Sequence, residues 1–159
     1  MSGDAADGEA KFISKNSEII TNKGDSFYVT NTTASIELEN NKITNNDSTG
    51  NFLRIQKDSW GNSGSNGGTV TFKATNQYII GNIVVDSIST LDMTLNSSYF
   101  EGTINGDNTA KSITLKLDKN SKIKLTGDPY VTSFEYDGDA SNIDLNGYKL
   151  YVNGKVYSK

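Results

Sequence analysis

Cysteine and histidine are both absent from the 159 residues. Together these absences remove thiolate nucleophiles, Cys/His zinc sites, imidazole general bases and the Ser-His-Asp arrangement, and with them much of enzyme chemistry. The redox compartment stays open, because disulfides are optional once a core is long enough. Basic charge is scarce as well: 15 Lys and Arg stand against 19 Asp and Glu, for a net charge of −4. No basic stripe is left to neutralise phosphates, which argues against nucleic acid and disfavours anionic membranes. No apolar run approaches the length of a transmembrane helix or of a signal peptide's hydrophobic segment, so membrane insertion is not expected. Secretion would imply a signal lying outside this sequence.

Apolar residues are themselves few. They make up 34% of the chain, while Asn, Ser and Thr together supply about a third. That balance is low for a compact globule and suits a solenoid, whose small cross-section needs apolar residues only on the inward half of each short strand.

What is present is a repeat. From Gly68 to Gly127, Val70, Phe72 and Ala74 give way to Leu91, Met93 and Leu95, and those to Ile113, Leu115 and Leu117. Each triplet has the two-residue period of a strand with one buried face. A second short apolar segment follows each: Ile79 and Ile80, then Phe100, then Ile123 and Leu125. Ile83 with Val85, and Ile104, supply third sides. A unit of roughly 21 or 22 residues cannot bury its apolar face alone, so the copies must stack and share one long core.

Earlier segments fit the same scheme: Phe12, Ile19 with Ile20, and Phe27 with Val29 form a first coil; Ala34, Ile36 and Leu38, then Ile43, then Phe52, Leu53 and Ile55 form a second. Asn-rich stretches separate the sides, and Asn suits corners because it tolerates left-handed backbone and can stack into amide ladders. Residues 57–68 break the period as an insertion, which in repeat proteins maps to a loop on a face that is often used for binding. Val131 and Phe134, Ile143 and Leu145, then Leu150 and Val152 read as the last coil. The expectation is an all-β, single-stranded parallel β-helix (β-solenoid) over residues 10–159, of about five coils with three short strands each. Right-handed winding is the default for parallel crossovers. Residues 1–9 are small and acidic and read as a disordered lead-in.

Five segments carry a family resemblance: TNKGDSFYVTN (21–31), FLR (52–54), DSWGNSGSNGG (58–68), GNIVVDS (81–87) and NGYKLYV (146–152). They resemble the carbohydrate-binding parallel β-helix proteins of clostridia and related bacteria, which are similar to polysaccharide lyases. The resemblance spans nearly the whole chain after Glu9 and includes no catalytic motif. It implies a secreted or cell-surface, right-handed β-helix that binds plant cell-wall polysaccharide, cellulose-like or pectin-like, and carries calcium. It further implies that this chain corresponds to the C-terminal part of a longer family member.

Several residues are candidates for a site. Asp86, Asp107 and Asp128 recur every 21 residues and are expected to line one edge, where grouped hard oxygens suit calcium; Asp is equally a favoured turn residue. Asp137-Gly138-Asp139 resembles part of an EF-hand loop but lacks its bidentate Glu. Trp60, with Asp58 and Asn62 in the inserted loop, offers an indole face for sugar C–H surfaces beside amides that bond hydroxyls, or else folds back to anchor the loop. Tyr78, Tyr99, Tyr148, Tyr151 and Tyr157 form an aromatic strip or pack on neighbouring coils. Lys116, Lys122 and Lys124 point outward, either to attract acidic polymers or as an ordinary solvated face.

No residue is assigned a catalytic role. The leading functional expectation is a non-catalytic extracellular polysaccharide-binding module. A scaffold of coils stacking end to end into fibres is the alternative, and a calcium-dependent polysaccharide lyase is a second one.

Overall fold

A computed structural model describes residues 9–158. Of the lead-in expected over residues 1–9, residues 1–8 lie outside the described residues; Glu9 is exposed, 3.5 Å from Lys11 Nζ. The described chain is all-β, with one 3₁₀ turn at Ala140–Asn142.

Strands fall on three sides of a parallel β-solenoid. The first side is a six-stranded sheet of β1 (Ala10–Lys15), β4 (Thr32–Glu39), β7 (Gly68–Thr75), β10 (Thr90–Asn96), β12 (Ser112–Leu117) and β15 (Ser133–Tyr136). On the second side, β2 (Glu18–Thr21) pairs β5 (Lys42–Asn45), and a separate sheet stacks β8 (Tyr78–Ile80), β11 (Tyr99–Gly102), β13 (Lys122–Leu125) and β16 (Ile143–Asp144). The third side stacks β3 (Phe27–Val29), β6 (Leu53–Ile55) and β9 (Ile83–Val85), and the Ile83–Ile104 bridge extends it. It ends in β14 (Tyr130–Val131), β17 (Tyr151–Val152) and β18 (Lys155–Val156).

Alternation along each strand explains the winding. In β7, Gly68, Val70, Phe72 and Ala74 are buried while Thr69, Thr71 and Lys73 are exposed. Register then carries the pattern upward: Ala34, Val70, Leu91 and Ile113 stack in one inward column, and Ile36, Phe72, Met93 and Leu115 in the next. A slip of one residue would turn each column outward, so burial itself holds the register. An aromatic file crosses the lower core, Phe12 to Phe27, Phe52 and Phe72, with centroids 5.4, 5.5 and 5.7 Å apart and rings edge-on.

The described residues wind six coils rather than five. Val131, read from the sequence as opening the last coil, instead closes the fifth and pairs with Val152 of the sixth. The boundary is hidden because Thr132 alone separates β14 from β15. Its N–H donates to the Ile113 carbonyl (2.9 Å) and its hydroxyl accepts the Ile113 N–H (3.1 Å), completing the turn in a single residue.

Asparagine holds the corner between the first and second sides. Asn16, Asn40, Asn76 and Ser97 stack there with φ of 51°, 52°, 48° and 48°, the left-handed region that Asn enters more readily than other side chains. Asn40 Nδ2 donates to Asn16 Oδ1 at 2.7 Å here, and Asn46 to Asn22 at 2.9 Å at the next corner, after the second side, so part of the corner asparagine forms amide ladders.

Just inside that corner runs a buried polar ladder. The Gln77 N–H donates to Ser98 Oγ (3.0 Å), and the Ser98 N–H to Ser121 Oγ (3.1 Å). Below them, Gln77 Oε1 accepts the Asn41 N–H (3.0 Å) while its Nε2 donates to the Asn41 carbonyl (2.6 Å). This amide bridges β5 and β8, which share no sheet, and thereby supports the second side where its outward face carries aromatic residues.

Candidate functional site

Two outward columns of the second side define the site. Parallel register aligns Tyr78, Tyr99 and Lys122 in one column, and Ile80, Glu101, Lys124 and Asp144 in the other. Because coils repeat at about 4.8 Å, aromatic residues in register must meet face to face. The Tyr78 and Tyr99 rings do so, 4.7 Å apart and inclined by 10°. Tyr78 is 57% exposed, so much of its ring surface is open to solvent.

Tyr99 is locked from behind. Its hydroxyl donates to Glu101 Oε2 at 2.8 Å, and Lys124 Nζ donates to Glu101 Oε1 at 3.0 Å. Burial, together with the Glu101 hydrogen bond, pushes the Tyr99 phenol up to about 12. The hydrogen bond from Lys124, then that from Tyr99, holds the Glu101 carboxyl below its usual range, and Glu101 in turn raises Lys124. At neutral pH the linked trio of Tyr99, Glu101 and Lys124 is therefore a neutral phenol, a carboxylate and an ammonium. Beside the rings lies a cleft of about 350 Å³ lined by Asn76, Tyr78, Ser97, Tyr99, Asn120 and Lys122 among others. Asn76, Ser97, Asn120 and Lys122 are all exposed, offering amide, hydroxyl and ammonium groups around an aromatic floor.

The inserted loop lies elsewhere, at the corner joining the third side to the first. Asn66 organises it: buried, it donates through Nδ2 to the carbonyls of Asp58 (2.9 Å) and Trp60 (2.8 Å), and its own carbonyl accepts the Asn31 N–H (3.0 Å). Trp60 is half-buried, and Asn62 and Asp58 are exposed. Asp58 accepts the Ser59 N–H (2.6 Å) and the Tyr28 hydroxyl (2.9 Å), which hold its carboxyl below the usual range. The Arg54 guanidinium sits 3.8 Å from the Tyr28 ring centroid, with Nε 2.6 Å from Asp25 Oδ2. Trp60, Asp58 and Asn62 thus share one loop, while Tyr78 and Tyr99 share the second side; the two groups do not form a common surface.

Nor do the three aspartates meet. Asp128 occupies the corner between the second and third sides, where its Oδ1 accepts the Lys149 N–H (2.9 Å), the same role that Asn82 plays for Thr103 (3.0 Å). Asp86 lies at the far end of the third side, its carboxylate accepting the N–H groups of Lys57 (2.8 Å) and Ile88 (3.3 Å) beside the root of the inserted loop. Asp107 is exposed on a bulge in which Asn105 Oδ1 accepts the Thr109 and Ala110 N–H groups, and it lines a cleft of about 230 Å³ with Asn82 and Thr103. Corners of unequal length break the alignment that equal spacing suggests. Among the described residues no three acidic side chains come together around one point, and Asp86, Asp107 and Asp128 lie on separate features.

The remaining candidates are dispersed. Tyr151 stacks on Tyr130 on the third side (4.7 Å, 12°), Tyr157 packs edge-on against Phe134 (5.1 Å), and Tyr148 is exposed. Lys124 is bound to Glu101, and Lys116 stands 3.5 Å from Glu135. Asp139 caps the 3₁₀ turn by accepting the Ser141 N–H at 2.8 Å. Sequence reasoning missed the Tyr130–Tyr151 pair and the Gln77 ladder. Both carry a signal, since the tyrosines lie 21 residues apart, as Tyr78 and Tyr99 do, and Asn41, Gln77, Ser98 and Ser121 each immediately precede a second-side strand. Among the described residues no helix is long and apolar enough to cross a membrane. Compared with known protein families, curated proteins and solved structures, the chain matches none.

Proposed function

We propose that this chain is a non-catalytic, extracellular polysaccharide-binding module that holds a glycan chain along the second side of the solenoid. The observation that carries the reading is the stacked, solvent-facing Tyr78–Tyr99 pair beside its polar cleft. Pyranose rings present C–H faces that pack on aromatic surface, and hydroxyls that exchange hydrogen bonds with amides and ammonium groups. Tyr78 supplies the first, and Asn76, Asn120 and Lys122 the second. The pair is preorganised, because Glu101 and Lys124 fix Tyr99 before any ligand arrives, so little side-chain entropy is lost on binding.

The reading gives the Trp60 loop a structural part, since its backbone is anchored by Asn66 away from the tyrosines. The aromatic face is built without Asp86, Asp107 or Asp128, so a metal at those residues is not required for it. A pull-down on insoluble cellulose and immobilised polygalacturonate, with and without chelator, tests it. Retention on at least one polymer, unchanged by chelator, is expected; passage through every polymer tried removes the proposal.

A further inference from the structure

The two ends of the solenoid are unlike. In the first coil β1, β2 and β3 are all edges, paired only with β4, β5 and β6. Phe12, Ile19 and Phe27 at that end are only partly buried, and with Val29 and Ile36 they line an apolar opening of about 250 Å³. It is where the aromatic file through Phe27, Phe52 and Phe72 reaches solvent. At the other end β17 turns back and pairs antiparallel with β18, and Tyr157 covers Phe134 edge-on. An antiparallel strand ends the parallel winding on the third side, while β15 and β16 remain edges of the first and second sides.

Head-to-tail stacking would set a first coil against β18 on the third side, where the parallel winding has stopped. Two open ends can still meet about a two-fold axis, which brings β1 antiparallel to its own copy. Among registers that pair most of β1, side-chain direction and charge favour one, with Lys15 also 2.7 Å from Glu39 of its own chain. With Phe12 opposite Phe12 of the second copy, Lys11 faces Ile13, Ala10 faces Ser14, and Glu9 faces Lys15 at both ends of the pairing. Moving two residues one way sets Lys11 opposite Lys15, and two the other way sets Lys11 opposite itself; like charges directly opposed are destabilising. The favoured register also places both Phe12 rings in one shared core.

We propose that the open first coil is the interface for a second copy of this chain, two solenoids docking head to head through antiparallel β1 strands. Such a dimer would present two second-side clefts, and a polymer spanning both would be held by avidity.

Sedimentation velocity of the full chain over a range of concentrations tests this. A monomer–dimer equilibrium with no larger species is expected. Glu9→Lys and Lys15→Glu should each weaken it about tenfold, because a pair of attractions becomes a pair of repulsions, and the double variant should restore it. A monomer at every concentration overturns the proposal, as does polymer growing with concentration. A dimer indifferent to both single charge reversals overturns the β1 pairing, and unchanged circular dichroism in the variants keeps misfolding from mimicking a result.

Discussion

Replacing Gln77 with leucine should break the joint between the second and third coils. Gln77 is 2% exposed, and its amide is what Asn41 bonds where β5 and β8 share no ladder. Leucine has a similar volume, so the cavity contribution is small and the cost falls on hydrogen bonding. The Asn41 N–H loses an acceptor at 3.0 Å, its carbonyl loses a donor at 2.6 Å, and Asn41 Nδ2 loses a weaker contact at 3.3 Å. At about 1–3 kcal/mol for each buried group left unpaired, two main-chain orphans cost roughly 2–6 kcal/mol, and about 3 kcal/mol once partial relaxation toward water is allowed. In urea, with a slope of about 2 kcal/mol/M, the midpoint should fall by roughly 1.5 M. Hydrogen exchange gives a second reading: amides of the first two coils should open more often than those of the third to sixth, because contacts in a solenoid are between neighbours. A loss under about 1 kcal/mol, or exchange raised evenly along the chain, would refute the claim that this amide stands in for a missing ladder.

Two further outcomes follow from local geometry. Ser97 alone among the four stacked corner residues with φ near 50° is not asparagine, so Ser97→Asn should stabilise the chain by about 0.5–1 kcal/mol and raise Tm by about 1–4 °C; a fall in Tm would contradict the corner argument. Asp47, whose carboxylate accepts the Gly24 N–H at 2.7 Å and the Thr49 N–H and hydroxyl, has its carboxyl lowered from 3.8 to about 2. A depressed folded-state value contributes stability above the unfolded value that disappears as pH falls through the folded one. Asp47→Asn should therefore be less stable than the parent near neutrality, and the gap should close between about pH 4 and pH 2; a gap independent of pH across that window would show that the carboxylate charge is not what matters.

The fold was legible because inward residues repeat with little ambiguity: Val70-Phe72-Ala74, Leu91-Met93-Leu95 and Ile113-Leu115-Leu117 occupy the register that their order suggests. The site was less legible, because outward residues obey the corners as well as the period. Tyr78 and Tyr99 keep their spacing of 21 with no insertion between equivalent positions, and they stack. Asp107 and Asp128 keep the same spacing, yet the bulge after Asn105 and the longer corner before Pro129 place them on different features. Trp60 lies in a segment with no repeat partner, and its position depends on Asn66, whose side-chain bonds to nearby carbonyls follow no periodicity. A one-residue turn at Thr132 likewise concealed the sixth coil.

The central claim is that glycan is bound by the Tyr78–Tyr99 face, and depletion isotherms on the polymer retained in the pull-down test it most directly. Removing the exposed ring with Tyr78→Ala should weaken binding roughly 5- to 10-fold, the scale of one lost aromatic contact, while Trp60→Ala leaves affinity within about twofold. Loss of binding in Trp60→Ala with Tyr78→Ala unaffected would contradict the account and move the site to the inserted loop.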